Sequence, residues 1–150
     1  MALQTAAPSE TSATFETTAQ VRFAHVDPAG IVFYPRYFEM LNGAVEDWFD
    51  QAIGVDFASM HAARGMGVPT VQLAAEFLAP SKLGEVLTIA ITPHNVGKSS
   101  CTYESVFAVG GSVRLRVSGT LVCMDLETHK AMPWPDDIRA GLMRERAPAE

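Results

Sequence analysis

Cysteine is scarce in this sequence: Cys101 and Cys123 stand alone, each within a strand-like apolar stretch. Two isolated cysteines build neither a disulfide framework nor a zinc site, and buried free thiols suit a reducing cytoplasm. Positive charge is scarce too. Eleven Lys and Arg against 17 Asp and Glu leave a net charge of −6, which excludes a nucleic-acid partner, since phosphates are met by a basic field. No run approaches the ~20 apolar residues of a membrane span, so no membrane contact is expected. Residues 1–14 are Ala/Thr/Ser/Pro-rich, without Lys or Arg or a following apolar region, so they do not read as a secretory signal. They read as a disordered tail. The four histidines, His25, His61, His94 and His129, are too scattered to ligate a metal, and none is expected. There is no G-x-S-x-G, which removes support for the nucleophile-elbow hydrolases. Gly97-Lys98-Ser99 ends like a phosphate loop, but Thr92 stands where that motif's first glycine belongs, and a strand rather than a helix follows.

What is present is apolar and patterned. Apolar residues make up 48% of the chain, enough for a real core, and 150 residues suit one domain, taken as 15–150. Phe15 to Phe23 alternates as a strand, with Phe15, Thr17, Ala19, Val21 and Phe23 on one face. His25-Val26-Asp27-Pro28-Ala29-Gly30 breaks it with turn chemistry. A helix then opens at Pro35, whose missing N–H costs nothing in a first turn, and stops at Gly54. Phe38, Leu41, Val45, Trp48, Phe49, Ala52 and Ile53 form its apolar stripe, too wide and aromatic to stay uncovered. A short helical or irregular piece, 57–64, precedes four strand-like runs: 69–78, 86–92, 100–109 and 113–124. Gly110-Gly111 is a hairpin signal between the last two, and Pro133-Trp134-Pro135 opens a C-terminal helix over 136–144. One strand, one long helix and four antiparallel strands make an α+β fold, a sheet with one face packed on the helix.

The chemistry that remains centres on Asp27, between a strand end and a helix start. A helix N-terminus presents unpaired N–H groups and positive potential, suited to polarising a carbonyl and holding an oxyanion. A carboxylate beside it can attack the carbonyl carbon or activate water, and Gly30 lets backbone approach a ligand closely. The same residues also read as a plain Asp-Pro turn, and local sequence leaves both readings open.

The run Asp27-Pro28-Ala29-Gly30-Ile31-Val32-Phe33-Tyr34-Pro35-Arg36-Tyr37 closely resembles the signature of the 4-hydroxybenzoyl-CoA thioesterase family, of the type with its aspartate just ahead of the helix. Weaker similarity continues through Gly67-Val68-Pro69-Thr70-Val71, Glu85-Val86-Leu87-Thr88-Ile89 and Lys98-Ser99. The resemblance implies a hotdog fold, a five-stranded antiparallel sheet wrapped around one long helix. It implies hydrolysis of an acyl-CoA thioester, with CoA as part of the substrate and no separate cofactor. Asp27 would be the catalytic carboxylate, the Tyr34 N–H would polarise the thioester carbonyl, and Lys98 would lie near the CoA phosphates. Asn42 stands where the hydroxybenzoyl enzyme has an aspartate facing the ring hydroxyl, and Val68 where the family has a threonine. An amide can hydrogen-bond a hydroxyl but brings no charge, which leaves an aromatic or short to medium acyl group open. The family pairs such layers into dimers and commonly tetramers with sites between subunits, so a homo-oligomer is expected. The rivals are a non-catalytic acyl-CoA-binding hotdog module and a thioesterase acting on acyl-carrier-protein. A binding module has no need of an acid at Asp27, and an acidic carrier would want a basic patch fuller than Lys98, Arg114 and Arg116.

Overall fold

The computed structural model describes residues 15–146, so the expected tail over 1–14 lies outside the described residues. In chain order the strands are β1 (Phe15–Gln20), β2 (Met66–Gly67), β3 (Thr70–Phe77), β4 (Val86–Val96), β5 (Ser100–Val109), β6 (Ser112–Val122) and β7 (Met124–Asp125). β1, β4, β5, β6 and β3 lie side by side in that order as one antiparallel sheet, and β2 pairs with β7 in a small ribbon. Alternation divides the sheet into two faces. Leu87, Ile89 and Ile91 of β4, Cys101, Tyr103 and Phe107 of β5, and Leu115, Val117 and Leu121 of β6 are all buried on one face.

That face receives α1 (Pro35–Trp48) through Tyr37, Met40, Leu41, Ala44, Val45 and Trp48. Leu41, Val45 and Trp48 were expected in this stripe; Phe38 is only half-buried, and Tyr37, Met40 and Ala44 widen it. α1 gives way to a π turn, Phe49–Ile53, before Gly54 ends it with φ +95°. Both Gly54 and Val55 donate their N–H to Phe49 O, at 2.7 and 3.0 Å, which only a left-handed residue at 54 allows. The piece after it is a true helix, α2 (Phe57–Arg64), capped by Asp56, whose carboxylate accepts the Ser59 N–H at 3.1 Å. The C-terminal helix, α3 (Asp136–Glu145), returns to the π turn, and a Cβ on its Gly141 would stand 3.0 Å from the Ile53 side chain.

Several strand ends depart from expectation, β6 among them, which stops at Val122 rather than Met124. β1 stops at Gln20 rather than Phe23, because Val21 turns to the loop before β4: its N–H donates to Glu85 O and its carbonyl accepts from Gly84, both at 2.8 Å. β4 runs past Thr92 through Pro93 to Val96, and the register against β5 shifts between Pro93 and Val96, an irregularity that accommodates a residue with no N–H. The Gly110-Gly111 turn joins β5 and β6 as expected, with Gly110 at φ +58°. The architecture is the hotdog arrangement, a five-stranded antiparallel sheet packed on one long helix.

Candidate active site

Asp27 sits in a tight loop whose ends are tied together. Val26 and Val32 form an antiparallel bridge, Asp27 N–H donates to Ile31 O at 3.0 Å, and Gly30 N–H donates to Asp27 O at 2.9 Å. Gly30 has φ +81°, the left-handed conformation this turn requires. The Asp27 side chain itself serves the turn, since Oδ1 accepts the Ala29 N–H at 2.9 Å. Among the described residues Oδ2 has no hydrogen-bond partner, so one carboxylate oxygen shapes the loop and the other is uncommitted. His25 lies just ahead of this loop. It ends a 3-10 turn, Phe23–His25; its Nδ1 accepts the Arg22 N–H at 2.9 Å and its carbonyl accepts from Phe33. Its ring is a local brace.

The start of α1 lies at the end of this loop. Tyr34 is the N-cap, Pro35 has no N–H, and the Arg36 and Tyr37 N–H groups turn back onto Phe33 O and Tyr34 O. No side chain caps the helix and its first turn has no acidic residue. Among the described residues nothing accepts the Tyr34 N–H, so this donor remains where the positive end of the helix meets the Asp27 loop.

Apolar and aromatic surface flanks the pair. Phe23, Val26, Pro28, Gly30 and Leu83 line a cavity of about 360 Å³ beside Asp27. On the other side, Val32, Tyr34, Tyr37, Phe77 and Pro80 line one of about 330 Å³. The Phe77 ring meets Tyr34 edge-on at 6.0 Å and lies within 6.3 Å of both Tyr37 and Phe38. Phe23 is 83% exposed and Tyr34 59%, unusual for aromatic residues in a packed chain.

The other residues singled out from the sequence lie elsewhere in the chain. Asn42 is exposed and about 12 Å along α1 from Tyr34 at 1.5 Å per residue. It is one turn past Phe38, on the flank facing the β3 edge. Val68 is half-buried just ahead of β3, and Lys98 is exposed in the β4–β5 turn. Both are at the far end of the sheet, roughly 30 Å from Asp27 along the length of β4. Within one chain, Asp27 lies in the loop that leads to the Tyr34 helix start, each lining its own cavity, and Asn42, Val68 and Lys98 lie away from that end.

Several residues at the site carried no local signal. The Tyr37 hydroxyl donates to Ser81 Oγ at 2.9 Å, both buried. Ser81 O accepts the Val32 N–H at 2.9 Å, and Leu83 N–H donates to Gly30 O at 3.0 Å. Arg114 grips Glu85 through both guanidinium nitrogens, at 2.7 and 3.1 Å. That pairing holds the Glu85 carboxyl well down, at about 2. These partners lie 29 to 53 residues apart in sequence, so only the fold joins them. Burial pushes the Cys101 thiol up to about 12 and Cys123 to about 11, so neither supplies a thiolate nucleophile. Among the described residues no group of three His, Cys, Asp or Glu is placed to hold a metal, and no helix is long and apolar enough to cross a membrane.

Comparison with known proteins identifies the family and the fold. The 1,4-dihydroxy-2-naphthoyl-CoA hydrolase of Thermosynechococcus vestitus is 29% identical over 131 residues, 87% of this chain and 88% of that protein. The 4-hydroxybenzoyl-CoA thioesterase of Pseudomonas sp. is 32% identical over only 71 residues, 47% of this chain and 50% of that protein, so the expected resemblance holds at the level of the superfamily. The crystal structure of a 1,4-dihydroxy-2-naphthoyl-CoA thioesterase from Synechocystis superposes with a TM-score of 0.78 at 22% identity, covering 87% of this chain and 96% of the other. The sequence profile of the Thioesterase-like superfamily matches residues 21–142, and the chain belongs to that superfamily.

Proposed function

We propose that the chain hydrolyses an aryl-CoA thioester to the free acid and CoA, with Asp27 as the reacting carboxylate and the Tyr34 N–H as donor to the thioester oxygen. One observation supports this reading: a carboxylate with an uncommitted oxygen lies in the loop that leads into a helix start whose first N–H has no partner among the described residues. As a nucleophile, Asp27 bonds the carbonyl carbon, the C–S bond breaks, CoA leaves as thiolate, and water cleaves the resulting anhydride. As a base, Asp27 takes a proton from water while the water oxygen bonds that carbon and the same C–S bond breaks. In both routes negative charge grows on the carbonyl oxygen, where an N–H at the positive end of α1 stabilises it. Single-turnover hydrolysis in heavy-oxygen water separates the two, since label enters Asp27 only in the first.

The aryl preference rests on the cavity between Tyr34, Tyr37 and Phe77, whose ring faces and edges suit a flat acyl group better than an alkyl chain. The relatives named for hydroxylated naphthoyl and benzoyl thioesters point the same way. The buried free thiols fit a reducing cytoplasm.

The active form is a homo-oligomer in this reading. All eight residues of β3 are exposed, and Val71, Leu73 and Phe77 present apolar side chains along this unpaired edge. Antiparallel pairing with a second β3 about a two-fold axis continues the sheet. It also sets the Val68 and Lys98 end of one copy against the Asp27 end of the other. Asn42, on the flank facing that edge, would then look toward the partner's acyl site. The decisive measurement is thiol release across a panel of aryl- and alkyl-CoA esters, with Asp27→Asn in parallel. Aryl esters should turn over fastest and Asp27→Asn should bind without turnover. Binding without thiol release by the native chain would leave the non-catalytic module standing instead.

A further inference from the structure

The catalytic reading assigns no role to Arg114, among the described residues the one buried charged side chain that reaches across several segments of the Asp27 end. It is 9% exposed on β6. Its guanidinium makes four hydrogen bonds: Nε donates to Ser112 Oγ at 3.0 Å, one terminal nitrogen to Pro80 O at 2.9 Å and Glu85 Oε1 at 2.7 Å, and the other to Glu85 Oε2 at 3.1 Å. The backbone of the same residue continues the grip, because Arg114 O accepts from Leu78 at 2.9 Å. Glu85 turns back on the connection as well, with Oε1 accepting the Lys82 N–H at 2.7 Å.

The 78–85 connection is therefore held along its length by one arginine and its carboxylate. That connection is the wall against which the reacting loop is built. Ser81 O holds the Val32 N–H, Leu83 N–H holds Gly30 O, and Ile31 bridges Lys82. Ser81 Oγ accepts the Tyr37 hydroxyl and so ties the wall to the first turn of α1. Both parts of the proposed chemistry, the Asp27 loop and the helix start, rest on the same short strip of chain. A strip rich in Pro, Ser and Gly, with no regular element of its own, would otherwise be among the most mobile parts of the fold.

We infer that Arg114, through Glu85 and Pro80, is a positioning residue for thioester hydrolysis: it fixes the 78–85 connection and thereby the spacing between the Asp27 carboxylate and the Tyr34 N–H. The inference rests on the hydrolase reading above. A rigid bidentate fork suits this task, because guanidinium holds direction as well as distance, whereas a single ammonium cannot reproduce the paired bonds to the two Glu85 oxygens together with the Ser112 bond. Displacement of a reacting group by about 1 Å costs on the order of 10²-fold in rate while leaving substrate contacts in place.

The test compares Arg114→Met and Arg114→Lys with Arg64→Met, which breaks the other bidentate arginine pair, Arg64 with Asp137, at the opposite end of the fold. Arg114→Met should lower kcat about 10- to 100-fold with KM within about twofold, and Arg114→Lys should fall between it and the native chain. Amide hydrogen exchange should quicken at Val32 and Leu83. Arg64→Met should show neither change. Glu85→Gln, which keeps a neutral partner for the arginine, gives the same kcat-against-KM split in milder form should Arg114→Met fail to fold. Native kcat in Arg114→Met, or unchanged exchange at Val32 and Leu83, overturns the inference. Absence of thiol release by the native chain overturns the hydrolase reading instead, and exchange at those two amides still decides whether Arg114 holds the loop.

Discussion

The two ends of the sheet are finished in opposite ways. At the Lys98 end, α3 closes the fold. Trp134 is buried, its N–H donates to Lys98 O and its indole Nε1 to Ser100 O, each at 3.0 Å. Arg139 donates to Gly97 O at 2.7 Å, and Ile138 and Leu142 are sealed from solvent. At the Asp27 end no element among the described residues plays that part, and Phe23, Tyr34, Phe77 and Leu83 stay exposed around two cavities. Each end has an arginine clasping a carboxylate, but in different settings. Arg114 and Glu85 have side chains 11% and 28% exposed, against 35% and 54% for Arg64 and Asp137. Where side-chain packing holds the chain, the ion pair is peripheral. Where side chains are left exposed around the cavities, a more buried pair and a strip of backbone hydrogen bonds hold the geometry.

The largest effect should come from Asp27→Asn, which removes the carboxylate proposed to react at the open end. Turnover should fall about 10²- to 10⁴-fold, measured by thiol release, with circular dichroism unchanged. Next, Leu73→Lys on the β3 edge should shift the sedimentation coefficient to that of a single chain and cut kcat/KM at least about tenfold, as expected when a partner completes a site. Full activity in a monomeric Leu73→Lys chain would confine the site to the open end of one copy.

The two arginines test the contrast directly. In urea denaturation, Arg114→Met should cost about 2–3 kcal/mol, because it strands a half-buried carboxylate. Glu85 also carries an acid dependence. Its carboxyl is depressed from 4.5 to about 2 by Arg114, so the stabilisation is complete above about 4.5 and is lost as pH falls toward 2. Arg114→Met should flatten that acid limb. In the middle of the sheet, a Cβ at Gly119 would lie 2.6 Å from the Tyr103 ring across the β5–β6 pair. Gly119→Ala should therefore cost about 1–3 kcal/mol, seen as a lower Tm and partly recovered by Tyr103→Leu, at neither end's expense in particular. Smallest of all, Arg64→Met should cost less than about 1 kcal/mol, as solvent-exposed pairs do.

Much of the fold was readable from period and punctuation. Leu87, Ile89 and Ile91 alternate into the core as their spacing predicts, and Leu41, Val45 and Trp48 face it from α1. Element ends were less readable. β1 stops where Glu85 captures the Val21 N–H, and β4 passes through Pro93 because β5 accommodates the irregularity. Both are decided by a partner strand, not by the residue itself.

For the site, the division follows chain distance. Asp27, Gly30 and Tyr34 are close in sequence, so turn chemistry and a helix start were enough to single them out. Phe77, Ser81, Glu85 and Arg114 are brought there by pairing of segments far apart, which leaves no local pattern to read. Asn42, Val68 and Lys98 were singled out by resemblance, and the fold sets them away from Asp27 in the same chain. The sequence by itself determined one carboxylate ahead of one long amphipathic helix, and the antiparallel sheet that covers it, because those features are written in neighbouring residues. Tertiary structure alone decided that the Tyr34 N–H has no partner among the described residues, and that Arg114 clasps Pro80 and Glu85 in the connection packed against the Asp27 loop. Hydrogen-bond satisfaction depends on what the whole fold brings within 3 Å, and local spacing carries no record of it.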